Sequence, residues 1–489
     1  MAPKITKPQL KQDHRGPAVG CVGESILKGV YRMLPSRRSF FKTGLLGLAG
    51  LSATRHFQKA SGQSSSLLQA DPLHPAAAQF DRLPLQWHKR RAKTLREKCG
   101  EKDCAAVLLQ DRWNIIYYTG LFHTTTERPF WVLLPISEEA IFWYSPGLDR
   151  DLVDSWWSTD NEYYFDYLHS RKAYPNRGKV EQEETLDLWE WMLRGLKERG
   201  FANQVIGVDK ELSSQQRRAA QTLLPQAAFR DISQICVDMR MVKTDEEIAL
   251  TQRAYDYFSK IHAFARDYIL QHGTDATDFD VSHAATEYAT DLILADIQHD
   301  GKPHSAVGIE IGIGCRTGAG TAYPHPNQFF YKKIERGDAL QVAGVIKIGG
   351  CGGECYRYYQ ILPSTARRDQ VWQTVTDTAL LLREQCYHGN TCSQVAYRIH
   401  KLQVERGMER LIYHRPGHGE GMEGHQPPWL ALGDYTMLRK GMTFSVEPGL
   451  YDPENGFGYN PSDNCLVWDK RGIFQSSVPW TKQWMYLKL

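Results

Sequence analysis

The chain has 489 residues with 59 Lys+Arg and 56 Asp+Glu, a formal charge of +3. That sum conceals an asymmetry: residues 1–60 hold eleven basic and two acidic side chains, a local +9, so the remainder nets −6. A body of that sign excludes nucleic-acid binding through bulk phosphate attraction, and 42% hydrophobic with 24% charged residues excludes a disordered chain.

Near the start, Ser36-Arg37-Arg38-Ser39-Phe40-Phe41-Lys42 precedes a Gly-rich apolar run, residues 43–53. Arg37 and Arg38 before such a run form a twin-arginine export signal. Residues 1–60 are therefore expected to be read by the twin-arginine export machinery, with the protein periplasmic or otherwise exported. Nowhere do apolar residues run to the roughly 18 needed to span a bilayer. Residues 61–80, rich in Ser and Gln and ending near Ala76-Ala77-Ala78, read as a linker.

From 81 to 237, helical and extended patterns alternate. Residues 86–99 are helical; the apolar runs 105–109, 114–120, 130–135, 140–144 and 205–209 supply extended segments; a helix follows over 213–224. This alternation predicts an α/β layer. Trp156, Trp157, Tyr163 and Tyr164 form an aromatic cluster suited to packing.

A second domain is expected over 238–489. Thr244-x-x-Glu247 is a capping box, and Leu250, Ala254, Phe258, Ile261, Phe264, Ala265 and Tyr268 recur at helical spacing up to Gly273. Further helices fit 278–295, 368–386 and 393–406. Gly-punctuated strands fit 306–314, 337–348, 354–362, 442–451 and 463–468. Ten cysteines are present; nine remain without Cys21, an odd number. Cys99/Cys104 and Cys386/Cys392 are near enough in sequence to pair, and no Cys-x2-Cys zinc spacing occurs.

Four segments of the second half carry a resemblance. Gly417-His418-Gly419-Glu420-Gly421-Met422-Glu423-Gly424-His425 resembles Gly-His-Gly-x-Gly-x-x-x-His of the pita-bread metallopeptidases: methionine aminopeptidase, aminopeptidase P, prolidase and creatinase. Gly441-Met442 through Glu447-Pro448 is similar to that family's Gly-Met-x-x-x-x-Glu-Pro strand. Gly337-Asp338-Ala339-Leu340 opens a matching strand, and Gly350 and Arg357 match the ends of its Gly-Tyr-x-x-Asp-x-x-Arg turn. Residues 113–135 resemble the N-terminal domain of the creatinase and aminopeptidase P branch. The implied fold is α+β: a C-terminal pita-bread domain preceded by a creatinase-type N-terminal α/β domain.

The resemblance implies a site with two Asp, one His and two Glu holding two divalent metals. Here the five positions read Ala343, Glu354, His418, Glu447 and Ser462. Ala343 cannot coordinate, and Ser462 replaces a carboxylate, with Asp463 beside it on the opposite face of a strand. Glu354, His418 and Glu447 are expected to bind one divalent metal (Mn, Fe, Co or Zn) or a cationic substrate group, or to work without metal as in creatinase. The resemblance assigns proton transfer to His325 and His425. Cys351 and Cys355 alternate onto the face opposite Glu354, in a packing or disulfide-like role. The expected activity is C–N hydrolysis of a short peptide or a small amide or amidine compound by a homodimer. The alternatives are a metal-free peptide- or protein-binding module and a lyase acting on a small sulfonium compound.

Overall fold

The computed structural model describes residues 62–123, 126–168, 170, 182, 184–297, 308–325 and 331–489. Arg37 and Arg38 lie outside them. In the first half, β1 (Ala106–Leu109), β2 (Trp131–Pro135), β3 (Phe142–Pro146), β4 (Asp160–Tyr164), β5 (Val205–Val208) and β6 (Ala228–Asp231) form one mixed sheet in the order β4-β3-β2-β1-β5-β6. β1 pairs antiparallel with β2 and parallel with β5. Its four residues are all buried, as in a strand covered on both faces. Trp143, Tyr144 and Tyr164 pack in this layer, while Trp156 and Trp157 lie partly buried against the main core.

The run 114–120 departs from the expected extended conformation. Asp111 accepts hydrogen bonds from the backbone N–H groups of Trp113 and Asn114, and Gly120 closes the segment at φ 78°, so Arg112–Thr119 is a helix. Cap chemistry at both ends overrides the β-branched Ile115-Ile116 pair, whose preference is weaker. Residues 62–80, read as a linker, are packed. Gln69 N–H donates to Ser477 O at 2.8 Å, Ala78 N–H to Ala249 O at 2.9 Å, and Ser64 bonds Asp267.

The second half starts on the helix Asp245–His272, whose Thr244/Glu247 capping box forms as expected. That helix lies on a sheet of β7 (Glu310–Thr317), β8 (Ala339–Ile348) and β9 (Cys351–Ile361), and the helix Asp278–Leu294 covers β7. β8 and β9 are joined by a two-residue turn, Gly349 at φ 58° and Gly350 at φ 74°. Both central residues of this turn type need positive φ, which explains the Gly-Gly pair. Next come β10 (Gly417–Gly419), β11 (Gln426–Leu430), β12 (Thr443–Val446), β13 (Leu450–Asp452), β14 (Phe457–Tyr459), β15 (Asn464–Leu466), β16 (Ile473–Phe474) and β17 (Tyr486–Leu487). An antiparallel sheet runs β11-β10-β12-β15-β16, and β17 joins the edge of β9. The stretch 442–451 splits into two strands because Pro448 offers no N–H to a ladder; Glu447 N–H turns aside to Pro416 O at 2.8 Å.

The two sheets meet where Tyr356 of β9 pairs with Ser462, through reciprocal backbone hydrogen bonds of 2.9 and 3.2 Å. This seam positions the site. All nine cysteines among the described residues are buried and unbonded. Neither Cys99/Cys104 nor Cys386/Cys392 is a disulfide; Cys386 lies instead against Cys465, because the end of the helix Ala366–Gln385 turns that thiol toward β15. Cys351 and Cys355 are buried in the core behind β9, away from Glu354, as alternation requires.

Candidate active site

A cleft of about 1100 Å³ opens at the seam, lined among others by Ala343, Glu354, His418, His425 and Glu447, with His325 on its wall. Each arrives from a different part of the fold: Ala343 from β8, Glu354 from β9, His418 from β10, and Glu447 just past β12. His418 sits between the two acids, its Nε2 3.4 Å from Glu354 Oε1 and 3.2 Å from Glu447 Oε2. Its Nδ1 donates to Gly419 O at 3.1 Å, which fixes the ring with Nε2 facing the carboxylates. His425 stacks on His418 with ring centroids 3.8 Å apart. His325 is exposed at the rim of the same cleft.

Charges in this cluster are mutually tuned. Burial opposes a charged His418, but the adjacent carboxylates of Glu354 and Glu447 overcome it and raise the ring to about 10. Burial also raises the Glu354 carboxyl, yet His418, Ser445 and Tyr356 together pull it below the usual carboxylate range. Glu447 is held above that range by burial and by the Glu354 charge. Burial and the charge of His418 lower the pKa of His425, against a smaller opposite pull from Glu354.

The degenerate positions have clear local roles. Ala343 faces Gly314 across β7 and Tyr356 across β9. The Ala343 methyl and the bare Cα of Gly314 thus open the cleft where a carboxylate would stand. Ser462 is fully buried; its Oγ lies 2.9 Å from Ser445 Oγ, and Ser445 Oγ donates to Glu354 Oε1 at 2.6 Å. A hydroxyl pair therefore fills the place of the missing acid. Asp463 is no substitute. It points to the opposite side, where Arg357 Nη2 donates to its Oδ2 at 2.6 Å, and both side chains are 0% exposed.

Several participants were not singled out as site residues in the sequence. Glu420 fills the variable place of the His418 motif. Its Oε1 accepts from Glu354 N–H at 2.9 Å, and burial pushes its carboxyl up. Gly353 makes room for it: a Cβ there would stand 2.2 Å from the Glu420 carboxyl carbon. Tyr356 Oη donates to Glu354 Oε2 at 2.5 Å. Arg316 and Arg415 line the cleft walls.

The residues do not fit a dinuclear metal site, because two of the five donor positions carry no carboxylate. They do fit one cation. His418 Nε2 is buried and meets both carboxylates at ion-pair distance, without hydrogen-bond alignment to either, and donor atoms of Glu354, His418 and His425 lie within 4.8 Å of one another. Glu447 adds a second carboxylate at the same His418 Nε2, at 3.2 Å, and lies against the Glu354 carboxyl. Imidazole and carboxylate donors suit first-row divalent ions.

Comparison with known proteins agrees with this architecture. The model of metallopeptidase family M24 matches residues 249–469, and that of the creatinase/prolidase N-terminal domain matches 91–242. An Xaa-Pro dipeptidase of Lactobacillus delbrueckii subsp. lactis is 24% identical over 366 residues, covering 74% of this chain and 89% of the relative. Among solved structures, dipeptidase PepE of Mycobacterium ulcerans superposes with a TM-score of 0.64 at 18% identity, over 83% of this chain and 100% of that one. The N-terminal domain of the FACT complex subunit SPT16 from chickpea gives 0.60 at 10% identity, over 83% and 99%. At such identities the structural likeness establishes the fold alone. With both family models matched in order and the ligand positions traced onto adjoining strands, the chain belongs to the pita-bread metallopeptidase family M24, in the branch with a creatinase/prolidase-type N-terminal domain, and carries a divergent ligand set.

Proposed function

We propose that the protein hydrolyses a C–N bond in a short peptide or small amide. The observation that carries this reading is the convergence of Glu354, His418 and Glu447, with His425 stacked beside them, at the floor of one open cleft. Relatives named as Xaa-Pro dipeptidases support a peptide substrate. Glu354, His418 and Glu447 would hold one divalent ion, Mn, Fe, Co or Zn. When bound, such an ion supplies Lewis-acid polarisation and a lowered water pKa. The residues of the chain do the rest. His425 accepts a proton at the cleft face of the cluster, and His325 delivers one from the rim. Tyr356 and Ser445 hold the Glu354 carboxylate in a fixed orientation.

Elemental analysis of the folded, purified protein, paired with assays on Xaa-Pro and other dipeptides, tests this. The expected result is about one equivalent of divalent metal, lost together with turnover in Glu447→Ala. Metal-free turnover that depends on His325 would replace the metal reading with a creatinase-like one. Loss of both acids at 343 and 462 favours a second reading, a binding module or a lyase on a small sulfonium compound. Tight peptide binding without cleavage, or release of a sulfide from a sulfonium substrate, would establish it. The proposal extends to export by the twin-arginine route, which Arg37→Lys/Arg38→Lys should block in a fractionation assay, and to a homodimer, measurable by light scattering.

A further inference from the structure

A second cavity, of about 740 Å³, is lined by residues of both domains and shares none of them with the active-site cleft. The helix Leu85–Gly100 supplies Arg91 and Lys98, and Lys102 follows just after it. Arg439 arrives from the other domain, in the segment before β12, the strand that leads to Glu447. Ile235 and Met239 of the helix Ser233–Met241, with Val242 beyond it, make an apolar part of the same lining.

The polar lining is mostly positive. Arg91, Lys98, Lys102 and Arg439 have no ion pair among the described residues. Neutral acceptors hold Arg91 in place: its Nε donates to Tyr117 Oη at 3.0 Å and its Nη2 to Met239 O at 2.8 Å. Glu247 lies within range of its charge but accepts from Thr244 N–H at 2.9 Å instead. Arg439 Nη2 reaches Met241 Sδ at 3.7 Å, and a thioether is a weak acceptor. Two acids, Glu101 and Asp238, share the lining, and Asp238 already accepts from Gln234 Nε2 at 2.9 Å. The C-terminal end of the helix accounts for Lys98 and Lys102 on dipole grounds. It does not account for Arg439, brought to the same space from the other domain.

Arginine and lysine together beside an apolar surface fit an anion of more than one charge that carries an organic body. A phosphate monoester has that form, with a charge of about −1.5 to −2 at pH 7 and three acceptor oxygens. Cavities that take organic ligands run to roughly 300–1,000 Å³, and this one has room for more than a bare phosphate ion. We propose that the cavity binds a phosphate monoester, its phosphate on Arg91, Lys98, Lys102 and Arg439 and its organic part against Ile235, Met239 and Val242. Such a ligand joins the helix Leu85–Gly100 of one domain to the segment before β12 of the other. The assignment stands apart from the peptidase reading.

Calorimetry and thermal unfolding of the full-length protein with phenyl phosphate, inorganic phosphate and phenol test this. Phenyl phosphate should bind, more weakly as salt rises, and should raise the unfolding temperature as a ligand of the native state does. Inorganic phosphate, without an apolar body to bury, should bind about tenfold or more weakly, and phenol not measurably. The double variant Lys98→Gln/Arg439→Gln, changed at two exposed positions, should lose about tenfold or more in affinity for phenyl phosphate. Glu101→Gln/Asp238→Asn, also exposed, should gain affinity, a change of sign that a damaged fold does not produce. Absence of phenyl phosphate binding overturns the proposal, as does unchanged affinity in Lys98→Gln/Arg439→Gln. Equal affinity for inorganic phosphate overturns the organic part of the assignment, and equal affinity for phenol overturns the anionic part.

Discussion

Asp463 stands next to a lost ligand, and its removal separates a structural role from a coordinating one. In the structure its Oδ2 receives Arg357 Nη2 at 2.6 Å and Ser476 Oγ at 2.5 Å, and its Oδ1 receives Ser476 N–H at 3.2 Å. Arg357 also donates to the carbonyls of Tyr356, Ser462 and Val478 at 2.9–3.0 Å and lies 4.2 Å over the Trp480 ring. In Asp463→Ala these neutral acceptors remain, but the guanidinium charge is buried without a counter-ion. Breaking a buried pair from one side costs about 3–5 kcal/mol. Asp463→Asn, which keeps an acceptor oxygen, should lose less. The assay is equilibrium denaturation of wild type and both variants, with metal content measured on the folded fraction. Metal per folded molecule should match wild type, since Asp463 faces away from His418. A stability change below about 1 kcal/mol in Asp463→Ala, or a fully stable variant that loses its metal, would refute the assignment.

Three other outcomes follow from the same geometry. Ala343→Asp, at a half-buried position facing the cleft, should fold normally and raise divalent-metal occupancy, whereas Ser462→Glu, placed where the side chain is 0% exposed, should cost about 1–3 kcal/mol by overpacking. His262 is lowered to about 3 by burial and by the nearby Arg357 charge. Below its unfolded pKa of 6.5 the unfolded chain binds the extra proton, so stability falls as pH falls. Wild type should lose about 2 kcal/mol more than His262→Asn between pH 6.5 and 5, and identical pH profiles would contradict it. Gly353→Ala should displace the Glu420 carboxyl, 2.2 Å from the added Cβ, and lower activity more than stability, because Glu420 holds the backbone that presents Glu354; an active variant with wild-type kcat/KM would count against that.

Much of the fold was legible because its signals are local. The Thr244/Glu247 capping box, the apolar stripe that follows it and the stop at Gly273 needed no tertiary information. The helix Arg112–Thr119 was not legible, since a single Asp cap outweighed a β-branched run whose neighbours are distant in sequence. The same holds for β7, which begins at Glu310, later than the apolar run suggested, because its register is set by pairing with β8. At the site, His418, Glu354 and Glu447 could be found by motif, but Arg316 and Glu420 could not. Their roles arise from contacts with Gln341, Tyr323 and Glu354 across strands, and no spacing rule encodes those.

The electrostatic consequence of losing two acids is less a weakened site than a redistributed one. Relatives of the family pattern place four carboxylates around two ions. Here two carboxylates face a single imidazole at 3.4 and 3.2 Å, and a third acid, Glu420, stands behind Glu354, bonded to its N–H. Two vacated positions hold an alanine and a hydroxyl pair, neither of which attracts a second ion. Three acids, Glu354, Glu447 and Glu420, gather around His418 at the cleft floor, while Arg316 and Arg415 line its walls.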